Sequence, residues 1–521
     1  MGPTRTQAAG NGTANDGADG NGPEAGHPGR AGNAEGRGPS ALRLGRFWGF
    51  AALGLTLAAG FAVYSLWWPE APVSTPDTPG YQQLARDLGA GTLSRFHQRT
   101  PGYPLILLWT GSTTHLTRSL FWVSLAGQLL VAVLVVILLA DLGVPRGPIL
   151  AVFGWALAPP SIAPSAFATT ETTAALCVTA ATAALFSWTR TLRWSRLVVF
   201  ALLAAAASFV RPTFQAMVPA VALALLAGLW GGWTGNLRLG RLLLGMGAAG
   251  ALTIVALAAY SSWNDRCFGK FAPSSMLTYA LSSKVDTVLE FLPDEFAELR
   301  SILVSHRDAL ITTPYSPHLG HDYLYRAWPD LLRLYGGDEL RALDAVREAS
   351  IHLILAKPIT YVHESAKLFA SFWMPNDYDL PGLRSGPGRV LSALAQGFMS
   401  GLFLLQAVVV GGLLLGFLAA QVATGRGVAW PSGREHSLAG AYLVTLSLVV
   451  STMLISCFLG TGLNRYRVPV EPLMWVNLAV GWTLWRSFVR FAGTAECPPR
   501  GEWSDCHRRT GLEADRTSTT G

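Results

Sequence analysis

The chain has 521 residues, half of them hydrophobic and only 14% charged, with a formal net charge of +7. So little charge over this length excludes an ordinary soluble domain and points to a polytopic membrane protein. The positive balance is not a nucleic-acid signal, because the arginines sit in short connections between apolar runs, where membrane orientation accounts for them.

Residues 1–40 are Gly, Ala, Asn and Pro with scattered charge and no apolar period. Such a segment cannot bury enough surface to offset its ordering entropy, so a disordered cytoplasmic tail is expected. It does not read as a signal peptide, since the apolar segment that follows starts too late and is too long. A spanning helix needs about 20 apolar residues. Ten candidate spans follow, at 47–68, 119–140, 148–165, 169–188, 196–210, 213–230, 241–261, 393–421, 437–459 and 468–489, with 196–210 short and 393–421 long. They group into an N-terminal transmembrane module, 41–262, and C-terminal transmembrane helices, 393–490. A polar tail, 491–521, closes the chain and is expected to be disordered and cytoplasmic.

Arginine placement sets the sides. Arg43 and Arg46, Arg146, Arg190 with Arg193 and Arg196, Arg238 and Arg241, Arg426 and Arg434, and Arg486 with Arg490 fall on alternate connections. The positive-inside rule puts these in the cytoplasm, with both termini. By parity the first loop (69–104), the turn at 159–170, Arg211, the segment 263–392 and the turn at 460–469 face outward. The expected fold is therefore an all-α polytopic membrane protein in the cytoplasmic (inner or plasma) membrane, with an outward interfacial helical loop and a small helical extracytoplasmic cap. Within that cap, Pro293-Asp294-Glu295, Gly337-Asp338-Glu339 and Pro358 each open a helix, with Pro or acids where the dipole favours them.

The first loop, Thr75–Pro104, carries Asp77 beside Pro76, then a short amphipathic helix with Tyr81, Leu84 and Leu88 on one face. Arg95, Arg99 and a second Pro-Gly-Tyr-Pro turn containing Tyr103 follow. With Glu171, Arg211, Arg465 and Arg467, the outward face gathers arginines against the positive-inside bias, which an anion at that depth would explain. A lipid-linked phosphate has its charge at headgroup level, and Arg grips phosphate oxygens through paired hydrogen bonds. Arg211 lies in a break between two apolar runs, and an ionised side chain near membrane depth marks a functional site by default. Snorkelling to lipid headgroups is the structural alternative. Glu171 opens a helix, where a carboxylate is explained by capping alone. Arg465 and Arg467 flank Tyr466 at the entrance to the last span, as interfacial anchors or as anion ligands.

The five cysteines are scattered and offer no disulfide framework. Cys497, Cys506 and His507 match no zinc spacing, and His318 and His321 lack a third ligand, so no metal or other cofactor is expected.

Asp77, the Pro-Gly-Tyr helix, Arg99-Thr100-Pro101-Gly102-Tyr103-Pro104, Thr170-Glu171-Thr172, Arg211-Pro212-Thr213 and Asn464-Arg465-Tyr466-Arg467-Val468-Pro469 together resemble polytopic glycosyltransferases of the C-type fold. Within that fold the chain looks like the protein O-mannosyltransferase and bacterial aminoarabinose transferase group. That resemblance implies inverting transfer of a sugar from a polyprenyl phosphate to a glycan, lipid or protein acceptor outside the membrane. Asp77 would be the catalytic base, and Arg99, Tyr103, Glu171, Arg211, Arg465, Tyr466 and Arg467 would bind substrate. The chain departs from the mannosyltransferases in having Thr78 in place of a second acid, and an outward segment too short for their β-trefoil insert. Two other classes fit the membrane plan: a lipid-linked saccharide flippase or transporter, and a polysaccharide ligase or polymerase.

Overall fold

The apolar runs fold as helices, and no strand occurs among the described residues; a single isolated bridge joins Val73 to Phe167. The structure is a computed structural model that describes residues 54, 57, 58, 62, 71–230, 237–311, 322–376, 378, 387–424, 433–460 and 464–494. The 1–40 tail, most of the first expected span, His318, His321 and the C-terminal residues from 495, with Cys497, Cys506 and His507, lie outside them.

The helices are α1 (Thr78–Ala90), α2 (Gly102–Trp109), α3 (Arg118–Asp141), α4 (Arg146–Ala156), α5 (Glu171–Thr191), α6 (Trp194–Val210), α7 (Met217–Trp230) and α8 (Leu239–Phe268). Then come α9 (Met276–Ser282), α10 (Ala297–Ile311), α11 (Asp322–Leu334), α12 (Glu339–Ala356) and α13 (Pro358–Trp373). The chain closes on α14 (Pro387–Thr424), α15 (Gly433–Phe458) and α16 (Glu471–Thr494). Six described helices are long and apolar enough to cross a membrane: Arg118–Asp141, Glu171–Thr191, Pro212–Trp230, Leu239–Phe268, Pro387–Phe417 and Glu435–Phe458. Their outer faces leave Leu223, Leu243, Leu244, Ile254 and Val255 exposed, as lipid-solvated helices do. The molecule is an all-α membrane protein.

The differences from the expected ten spans have local causes. The 148–165 run is broken, with α4 and Pro159–Ala166 bent by 60° where Pro159 and Pro160 stop the helix. The 196–210 run is α6, only 17 residues, because Arg211-Pro212 ends it. The last, α16, has the length, but polar residues such as Asn477 and Arg486 leave it less apolar, and it is not among the six.

Polar side chains tie the spans where lipid offers no hydrogen bonds. Asn477 on α16 donates to the Tyr442 carbonyl and to Thr445 on α15, both at 2.9 Å, and Gln406 on α14 donates to the Asn477 carbonyl at 2.9 Å. Between residues 268 and 354 the chain builds a second core from α9 to α12, and Phe96 of the first loop is part of it. The expected helix starts are present: Asp338 accepts from the Arg341 amide at the head of α12, and Pro358 opens α13.

The first loop is fastened at both ends. At its C-terminal end, Asp87 accepts from Ser94 and from His97 Nε2 at 2.8 Å. At its N-terminal end the chain from Val73 laces to 166–168 through backbone bonds of 2.7 and 2.9 Å. Gly102 lets the head of α2 touch the end of α6: a Cβ there would lie 2.6 Å from backbone atoms of Phe209 and Val210. Backbone cannot yield as a side chain can.

Two consequences are measurable. Gly102→Ala should cost about 1–3 kcal/mol, the usual scale of overpacking, read as a lowered Tm of the purified protein. An unchanged Tm would mean that α2 and α6 are not pressed together. Burial alone would raise the Asp87 pKa, but its bonds to Ser94, His97 and Gln83 outweigh that and hold it at about 2, below the ordinary 3.8. Its contribution to stability is thus complete above pH 3.8 and lost as pH falls toward 2. The acid decline of Tm over that window should be shallower in Asp87→Asn.

Candidate functional site

Asp77 occupies the N-cap position of α1, where a carboxylate ordinarily bonds its own helix, yet it makes no such bond. Both of its oxygens are turned elsewhere. Oδ1 accepts from Arg99 Nη2 at 2.5 Å, and Oδ2 pairs with Arg465 Nη1 at 2.8 Å. The two arginines come from opposite ends of the sequence: Arg99 from the strap after α1, Arg465 from the 3₁₀ turn Asn464–Tyr466 between α15 and α16. Burial raises the Asp77 pKa, but the charges of Arg465, Arg99 and Arg211 outweigh it, and the carboxyl is held below its ordinary value. At neutral pH Asp77 is an anion.

Arg211 ends α6 in extended conformation, and its side chain is buried. Its Nη1 lies 3.3 Å from Glu171 Oε1, and its guanidinium sits over the Tyr466 ring, 4.3 Å from the centroid. Arg465 approaches the same ring at 5.9 Å, and Arg99 lies over Tyr81 at 5.1 Å. Aromatic faces are good seats for guanidinium groups, since they hold the charge without consuming its N–H donors. Tyr103 packs edge-on against Tyr81 at 5.1 Å. The structure thus brings together Asp77, Arg99, Tyr103, Glu171, Arg211, Arg465 and Tyr466.

It does not bring Arg467 with them. Expected to bind substrate, Arg467 is instead 1% exposed and spent on its own chain. It donates to Glu471 Oε1 and to the carbonyls of Phe372 and Met374, each at 3.0 Å. The cause is geometric: the 3₁₀ turn rotates neighbours two apart to different sides. Arg467 fastens the end of α13 to the head of α16.

The structure also adds a residue that sequence reasoning missed. Tyr378 is buried against Phe167 at 4.9 Å, and the charges acting on it include Glu171, Arg465 and Arg211. Nothing in its spacing separates it from an interfacial aromatic; only the placement of Pro375 beside the Arg465 turn does, through the bond from Asn464 Nδ2 to the Pro375 carbonyl, 2.6 Å.

Three guanidinium groups face two carboxylates, so the cluster keeps one net positive charge. Two of its buried polar atoms make no hydrogen bond among the described residues: Arg465 Nε and the Tyr103 hydroxyl. Buried polar atoms are nearly always satisfied, so a gathering of unsatisfied donors marks a place for a ligand with acceptor oxygens. No group of three or more metal-ligating side chains occurs among the described residues. No family model, curated protein or solved structure matches the chain.

If Arg467 is structural, Arg467→Met should lower the Tm of the purified protein by several degrees, because it leaves Glu471 and two buried carbonyls without their donor. An unchanged Tm would mean that Arg467 does not hold α13 to α16.

Proposed function

We propose that the chain is a membrane glycosyltransferase that moves a sugar from a polyprenyl-phosphate donor to an acceptor, with inversion. One observation carries the reading: Asp77 is held between Arg99 and Arg465, with Arg211 on the neighbouring ring, so a carboxylate and three guanidinium groups share one partly buried place. In this reading the membrane plan is the one the arginines dictate: ten spans, the site outward, the 263–392 segment a cap over it, in the cytoplasmic membrane.

The mechanism follows from what an anionic headgroup does to such a cluster. Its phosphate oxygens compete with Asp77 for Arg465 and Arg99, and Arg211 adds a third contact. Bidentate guanidinium–phosphate bonds are among the stronger charge-assisted ones. Once its partners turn to phosphate, Asp77 has a free oxygen and regains proton affinity. It can then act as general base, provided that it reaches the acceptor hydroxyl within hydrogen-bond distance. The acceptor O–H bond breaks with its proton passing to Asp77. The acceptor oxygen bonds to the sugar C1 from the face opposite the phosphate, and the C1–O bond breaks with its electron pair leaving on the phosphate. Phosphate is a good leaving group, so no general acid is needed; the arginines offset the charge that grows on it.

The test is Asp77→Asn, assayed twice. Transfer from a labelled polyprenyl-phosphate sugar should fall at least about a hundredfold, the scale of a lost base. Affinity for a polyprenyl phosphate should tighten by about tenfold, equivalent to roughly 1.4 kcal/mol, because the competitor for the arginines is gone. Near-normal transfer would make Asp77 a loop residue.

A further inference from the structure

Outside the arginine cluster, the side chain that costs the fold most is Lys284. It lies in the turn 283–285 between α9 and the 3₁₀ segment Asp286–Phe291, and it is 1% exposed. Its ammonium has no hydrogen-bond or ion-pair partner among the described residues. Buried charges are ordinarily paired, and one left alone is strongly destabilising. The fold nevertheless shuts it in between two cores. Its neighbour Val285 belongs to the α9–α12 core, and Cys457, wholly buried at the end of α15, belongs to the core of the spans.

Three ionisable groups bear on the amine, one from each element around it: Cys457 on α15, Asp286 on its own turn and Glu364 on α13. Neither carboxylate is paired with it. Glu364 is 2.7 Å from Lys367 in a part-exposed pair of the kind that contributes little. Asp286 accepts from the Thr287 amide at 3.0 Å, and Arg307 and Lys367 also act on it. Burial lowers the Lys284 pKa from 10.5 to about 8, against the pull of Cys457, Asp286 and Glu364. Burial raises Asp286 from 3.8 to about 6, and the charge of Glu364 adds to the rise. At neutral pH both groups are therefore charged, buried and apart.

Elsewhere the α9–α12 core is firmly tied. The Ser275 amide donates to the His97 carbonyl at 3.0 Å, and Phe96 is packed within the core. Opening at Lys284 would give the ammonium its water without breaking that fastening to the strap.

We propose that Lys284 is a release point: the contact between the α9–α12 core and α15 opens locally at neutral pH, handing the ammonium to water and uncovering Cys457 while the strap holds. In the glycosyltransferase reading the movement gives the acceptor its way in beside the Arg465 turn, but the opening itself does not depend on that reading.

The experiment uses the detergent-solubilised full chain. Alkylation of Cys457 by a hydrophilic maleimide is followed by peptide mass spectrometry, with the part-buried Cys177 as the control for general loosening. Tm is measured on the same samples from neutral pH to about 10.5. Cys457 should react in the unmodified chain. Lys284→Met, which removes the charge and keeps most of the length, should slow that reaction by at least about tenfold, the scale of a one-unit pKa change, and raise Tm by several degrees. The open form binds the amine's proton more readily than the closed form, so closure strengthens as pH rises from about 8 to 10.5. The Tm advantage of Lys284→Met should shrink over that window. Lys284→Arg, which cannot lose its proton, should open at least as readily as the unmodified chain and show no such tightening. Cys177 should react alike in all three. Failure of Lys284→Met to fold, or a lowered Tm, is the result expected if an ordered water satisfied the amine, and would overturn the proposal. So would a Cys457 that is inert in the unmodified chain, or one whose rate Lys284→Met leaves unchanged.

Discussion

The contact on which the rest depends is the pairing of Asp77 with Arg99 and Arg465. It joins the first loop to the turn before the last helix, across almost the whole sequence. A carboxylate taken from water needs charged or hydrogen-bonded partners, and here both of its oxygens have them. The surrounding fold serves to hold those partners. Asp87 anchors the strap that delivers Arg99, Gly102 presses the loop against the end of α6 that delivers Arg211, and Arg467 fixes the turn that delivers Arg465. Each support is itself a buried polar bond or a close backbone approach, so little slack remains between the loop and the helices.

The same contact gives the cluster its chemical character. An anionic Asp77 that shares two arginines is a counter-ion, and a counter-ion is a poor base. The excess of one guanidinium, the unsatisfied Arg465 Nε and the Tyr103 hydroxyl make the cluster receptive to an anion that is richer in oxygens than a carboxylate. In the proposed reaction the donor's charge is what converts Asp77 from one role to the other. Donor binding then comes before acceptor activation, which keeps the base unavailable to stray nucleophiles when no phosphate is present.

Much of this was legible in the residues. Hydropathy located the helices, because lipid-facing surface must be apolar over a fixed length. Pro and acid pairs located the starts of α12 and α13. Asp77, Glu171, Arg211 and Arg465 stood out because charge beside apolar runs is costly and asks for a reason. What escaped was whatever depends on rotation and long-range packing. Arg465 and Arg467 look equivalent in Asn-Arg-Tyr-Arg, yet the 3₁₀ turn sends one to Asp77 and the other to Glu471. Glu171 read as a helix cap and is in fact paired with Arg211. Tyr378 was indistinguishable from an interfacial aromatic until Phe167 was found behind it. The 148–165 run read as one span because its apolar residues persist through the two prolines that bend it.

The most direct measurement compares the affinity of the purified chain for farnesyl phosphate with its affinity for farnesol, which has the same hydrocarbon and no charge. The account predicts much tighter binding of the phosphate, with the difference abolished when Arg211 and Arg465 are both replaced by Gln. Equal binding of the two compounds, or a preference for phosphate that survives the double replacement, would contradict it.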